Sequence, residues 1–119
     1  MSIRLEQKPF ELEGKTYILC CNMAVLDALQ DAHDGDFGAV LELPVRQCTV
    51  EVLAAMLNDY AEEQGWEERW TPQALKRKFV YSYLLEQDIF GMFQRALIPK
   101  QTGDAEEQPR QQAPENAGN

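Results

Sequence analysis

Between Phe10 and Leu29 the chain passes from an alternating apolar pattern, through a glycine-bearing reversal, straight into a helical stripe, and this junction restricts the fold more than any other stretch. Phe10, Leu12, Tyr17 and Leu19 are spaced to share one face of a ribbon, with Glu11, Glu13 and Thr16 on the other. Taking Gly14-Lys15 as the central turn residues pairs Leu12 with Tyr17 and Phe10 with Leu19. Glycine in the first central position suits a type II′ turn, because it adopts φ > 0 without a Cβ penalty. Moving the turn one residue earlier would set Leu12 opposite Lys15 and interrupt the apolar face. A two-stranded ribbon is marginal alone, so this hairpin must lie on the helices that follow. Ile3 and Leu5 alternate with Arg4 and Glu6, leaving either two strands or three short ones, and Pro9 fits only a strand start or an edge.

Helix punctuation organises the rest. Asn22 is a good N-cap for a helix with Val25, Leu26, Leu29 and Ala32 along one stripe, and Gly35 is placed to end it. Residues 36–47 read as a short helix or an extended segment containing Phe37, Val40, Leu41 and Leu43, closed by Pro44. The second main helix is expected from Thr49 as cap, with Val50, Leu53, Met56, Leu57 and Tyr60 making its broad apolar face. Gly65 suits a left-handed C-terminal position, with Trp66 folding back in a Schellman arrangement. Thr71-Pro72 opens a third helical region, cap followed by proline in the first turn. Residues 72–98 form either one rod or two helices meeting near Glu86–Asp88. The expected fold is α+β: an N-terminal antiparallel hairpin on a bundle of three to five helices, in a single domain spanning 1–98. After Pro99 no Val, Ile, Leu, Met or aromatic residue occurs, so 99–119 reads as a flexible tail with nothing to offset the entropy of ordering.

The balance of 20 acids against 11 Lys plus Arg gives a net charge of −9. Four acids and two bases in the tail contribute −2, so the body carries −7. This argues against nucleic acid as the main partner, since phosphate binding depends on clustered cations. Lys76-Arg77-Lys78 is the sole local basic patch and reads as the solvated face of a helix. Cys20, Cys21 and Cys48 have neither disulfide-framework nor zinc-ligand spacing, and at least one of the adjacent pair reads as a small buried hydrophobe. Met1-Ser-Ile-Arg-Leu-Glu lacks a signal-type apolar run and no segment approaches the length of a bilayer span. A soluble cytoplasmic protein without membrane attachment is expected.

Catalytic signals are weak. His33 is the sole histidine, in His33-Asp34-Gly35-Asp36. It could serve as a base or metal ligand, but a cationic residue at a helix C-terminus explains it without further partners. The acids around it lack the alternate spacing of a calcium loop. Glu62-Glu63 and Glu67-Glu68 read as an acidic rim around Gln64-Gly65-Trp66, and no phosphate loop or metal motif occurs. The expectation is a non-enzyme without cofactor or metal. Trp66 and Trp70 cover the core edge or anchor a partner.

Phe10-x-Leu-x-Gly-Lys-x-Tyr17, followed at once by Asn22-Met-Ala-Val-Leu-Asp-Ala-Leu29, resembles the opening of the small tail assembly chaperones of long-tailed bacteriophages and prophages. Val50-Glu-Val-Leu-Ala-Ala-Met-Leu-Asn-Asp-Tyr60 is similar to their second helix. The resemblance covers roughly residues 3–65 and extends only loosely over 66–98. It implies no catalytic residues, but a role in virion morphogenesis: binding the tape-measure protein, keeping it soluble, and helping tail-tube protein assemble around it. On that expectation Tyr81, Tyr83, Phe90 and Phe93, where not needed to close the core, line an apolar partner-binding surface. A structural minor tail or head–tail connector protein, or a small adaptor, is the alternative.

Overall fold

The computed structural model describes residues 5–98. Ile3 and the expected tail over 99–119 lie outside them. The elements run β1 (Lys8–Leu12), β2 (Lys15–Leu19), α1 (Met23–Asp31), α2 (Phe37–Leu41), α3 (Val45–Gln64), α4 (Pro72–Lys78), α5 (Tyr81–Glu86) and α6 (Ile89–Leu97). The architecture is α+β, an antiparallel hairpin packed on helices. Six helices replace the expected three to five, and Leu5–Gln7 add no third strand.

The hairpin register differs from the expected one. Leu12 faces Lys15 and Phe10 faces Tyr17, so Glu13 and Gly14 form the two-residue turn. Both have positive φ, 52° and 82°, as a type I′ turn requires. This turn twists with its strands, which offsets the strain at Glu13. The shift moves each residue's partner by two positions, so the parity of the faces is preserved. Phe10, Leu12, Tyr17 and Leu19 therefore remain on the buried face in either register. Lys15 shares that face without spoiling it. Its ammonium lies 4.6 Å from the centroid of the Trp66 ring and 3.7 Å from Glu68 Oε1, reaching out over the aromatic surface.

Local capping is largely as the sequence indicates. Asn22 Oδ1 accepts from Val25 N at 2.9 Å, and Thr71 Oγ1 accepts from Ala74 N at 3.1 Å with Pro72 in the first turn of α4. The α3 C-terminus is a Schellman motif: Trp66 N donates to Ala61 O at 2.9 Å and Gly65 N to Glu62 O at 3.1 Å, with Gly65 at φ 76°. Two boundaries differ, at the end of α1 and the start of α3, and the short-helix alternative holds between them. Helix α1 stops at Asp31, short of Gly35. Residues 37–41 form α2, with Asp36 Oδ1 accepting from Ala39 N. Pro44 then begins α3 rather than ending the preceding segment. Thr49 consequently lies inside α3, buried, its hydroxyl donating to Val45 O at 2.8 Å. Satisfying the hydroxyl on the preceding turn lets a cap-type residue serve as helix interior.

Helix α3 is the axis. Helices α1, α4 and α6 and strand β2 all pack on it, and Val52, Leu53 and Leu57 on its different sides are fully buried. The region 72–98 breaks twice. One break lies at Gln87–Asp88, as expected; the other is at Phe79 and Val80, whose extended backbones separate α4 from α5. Aromatic and β-branched residues favour that conformation. Phe79 gains a ring stacked on Tyr83 (5.5 Å) and an edge contact to Phe10 (5.6 Å). Arg95 of α6 bridges Glu6 and Asp88, each at 2.8 Å, and its guanidinium holds the Glu6 carboxyl below the usual carboxylate range.

Candidate partner-binding groove

The two tryptophans sit at one corner of the core. Trp70 is buried: its indole Nε1 donates to the Tyr17 hydroxyl at 3.1 Å, and its backbone is held on both sides by Asn58. Asn58 Oδ1 accepts from Trp70 N at 2.7 Å, while Asn58 Nδ2 donates to Trp70 O at 2.8 Å. Trp66 is half-buried, edge-on to Tyr17 at 5.2 Å and to Tyr60 at 5.6 Å, with Lys15 above it. Both tryptophans thus cover the core edge. Phe93 is core as well, 2 % exposed beneath Phe37 and Phe90, which removes it from any surface in this conformation. Tyr83 is half-buried between Phe10 and Phe79.

Tyr81 and Phe90 are placed differently. Tyr81 lines a groove of about 480 Å³ between the first turns of α3 and the α4–α5 corner. Its base is apolar: Val50 and Leu84 belong to the core, and Phe79 packs on that core from the side. Pro44 and Tyr81 form walls, and Arg46, Gln47 and Lys76 supply the polar edge. A smaller depression of about 150 Å³ adjoins through the shared Leu84 and reaches Leu85 and Phe90. Val45, Val80 and Leu85 are exposed beside these residues, so the apolar surface extends past the groove itself.

The groove has a consistent sign. Arg46 and Lys76 are both exposed, and among the described residues neither forms an ion pair with a carboxylate. No Asp or Glu lines the groove. The start of α3 has no side-chain cap, so its first N–H groups add positive potential at the same mouth. Sequence reading identified Lys76 within a basic run and Tyr81 as a candidate. It missed Arg46, Val50, Phe79 and Leu84 as partners in one surface, because residues 44–50 meet 76–84 only through the packing of α4 on α3.

Titratable groups elsewhere are engaged locally. His33 Nε2 lies 2.7 Å from Glu51 Oε1, and Gln47 donates to the other Glu51 oxygen at 2.7 Å, tying the end of α1 to α3. The histidine is therefore held by a specific carboxylate. Among the described residues no group of three or more His, Cys, Asp or Glu is placed to hold a metal ion, and no helix is long and apolar enough to cross a membrane. All three cysteines are free; Cys48 is buried, while Cys20 and Cys21 are each partly exposed. Neither member of the adjacent pair is buried, contrary to expectation, although Cys21 packs against the core from its edge. Burial pushes the Cys21 thiol up to about 12 and the Cys48 thiol up to about 11.

Compared with protein-family models, curated proteins and solved structures, the chain matches none.

Proposed function

We propose that this protein is a non-catalytic binding protein of bacteriophage or prophage tail assembly. It holds an apolar stretch of the tape-measure protein in the groove between α3 and the α4–α5 corner and keeps it soluble until tail-tube protein polymerises around it. The observation that carries the binding role is the groove: an apolar base flanked by Tyr81 and continued by exposed Val45, Val80 and Leu85. A helix laid into such a surface buries its apolar face there. The assignment to tail assembly rests on the resemblance of residues 3–65 to the small tail assembly chaperones.

Coexpression with the tape-measure protein of the same phage or prophage tests the reading. The tape-measure protein should stay soluble and co-purify with this chain, and Tyr81→Ala should weaken retention roughly ten-fold, the scale of an aromatic anchor. The protein should be absent from purified particles by mass spectrometry. Its presence there at a fixed copy number would make it a structural tail component instead.

A further inference from the structure

We infer that the α3/α4–α5 groove selects its occupant by charge: it takes an amphipathic helical segment of another protein whose apolar stripe is flanked by Asp or Glu. This rests on the groove-binding reading above and adds the chemistry of the ligand. The chain is strongly acidic at −9, yet the groove lining contains no acid and presents Arg46 and Lys76 to solvent. Outside the groove three cations are paired with carboxylates: Lys15 with Glu68, Lys78 with Glu13, and Arg95 with Glu6 and Asp88. Among the described residues Lys8, Arg69 and Arg77 are not, but they do not line the groove. Arg46 and Lys76 have no such carboxylate among the described residues, and both stand at the edge of the apolar base formed by Val50, Phe79 and Leu84.

That arrangement favours an acidic partner and disfavours a basic one. A basic helix would still feel the attraction of the acidic body at long range, but on docking it would set like charges against Arg46 and Lys76. The chain's own Asp104-Ala-Glu-Glu107 has the matching sign. It lacks a large apolar side chain to fill the base, so a foreign segment fits better.

The test uses the full chain and two fluorescent helical peptides of about 18 residues, roughly five turns. They share one leucine stripe and differ only in carrying glutamates or lysines beside it. The glutamate peptide should bind about ten-fold tighter at low ionic strength, two rim contacts at the modest strength of exposed ion pairs. The preference should collapse near about 0.5 M salt, where screening is short-ranged. The double variant Arg46→Glu/Lys76→Glu, altered only at exposed positions, should reverse it.

Equal affinity for both peptides, with both weakened by Tyr81→Ala, would overturn charge selection and leave groove binding intact. Binding indifferent to Tyr81→Ala, or no binding by either peptide, would overturn both. A concentration-dependent dimer abolished by the double reversal would give the groove to a second copy. Competition by a synthetic peptide of residues 99–119 would give it to the chain's own tail. Either result overturns the inference.

Discussion

Glu13 shows how little a single residue reveals about its own backbone. It occupies a left-handed conformation that costs an L-residue about 1 kcal/mol, with its carboxylate 2.5 Å from Lys78 Nζ at an exposed site. Asparagine tolerates that conformation better and makes the Asn-Gly pair favoured in type I′ turns. Glu13→Asn should therefore raise stability by about 0.5 kcal/mol in urea unfolding, after loss of the exposed ion pair. A turn centred on Gly14-Lys15 would make Glu13 a strand residue, and the same substitution would then lower stability. The cysteines give a second measurement at this scale. Raised thiol pKa values mean less thiolate, the reactive form, at any given pH. At pH 8 a thiol near 12, as at Cys21, is ionised on the order of one part in ten thousand. Iodoacetamide should label Cys20 first, with Cys21 and Cys48 lagging, as peptide mass spectrometry would show. Labelling of buried Cys48 ahead of Cys20 would contradict the packing at the start of α3.

Among the elements, one side chain of α3 fastens the segment leading into α4 by two hydrogen bonds. Asn58 satisfies both backbone groups of Trp70 and so fixes where the indole enters the core beside Tyr17. Asn58→Ala should cost about 2 kcal/mol, two part-buried hydrogen bonds and the desolvation of their partners. Trp70 fluorescence should red-shift as the ring loosens. A loss below about 0.5 kcal/mol would mean that the 65–71 loop holds itself in place without the clamp. The same scale explains the misread start of α3. Thr49 has the chemistry of a cap, but its hydroxyl is equally well satisfied by a carbonyl one turn back. The choice goes to the start that buries Cys48, Thr49 and Val50 against the rest of the core.

Across the whole molecule, stability is unevenly spread. Helix α3 buries Cys48 to Val50, Val52 to Ala54, Met56, Leu57 and Ala61, whereas α5 buries Leu84 alone and α2 Val40 alone. Amides in α2 and α5 should exchange through local opening, and those of Leu53 to Leu57 only near global unfolding. Hydrogen-exchange mass spectrometry should show α5 exchanging orders of magnitude faster than central α3. Protection of α5 equal to that of α3 would make the groove wall rigid. A loosely held α5 matters to binding, because Tyr81 and Leu84 could adjust to an incoming helix without disturbing the axis.

What the sequence determined by itself were the features closed within a few residues. The Asn22 and Thr71 caps, the Gly65–Trp66 reversal and the inward face of the hairpin each depend on backbone groups or side-chain parity close along the chain. The tertiary structure decided whatever depends on distant groups sharing space. It set the hairpin register: both pairings bury the same four residues, and the observed one places Lys15 over Trp66, far along the chain. It sent Trp70 and Phe93 inward and left Tyr81 at the surface, although all three carry the same apolar signal. It also made the groove, by bringing residues 44–50 against 76–84. No local pattern could specify that meeting, because packing between elements far apart in the chain is what holds it together.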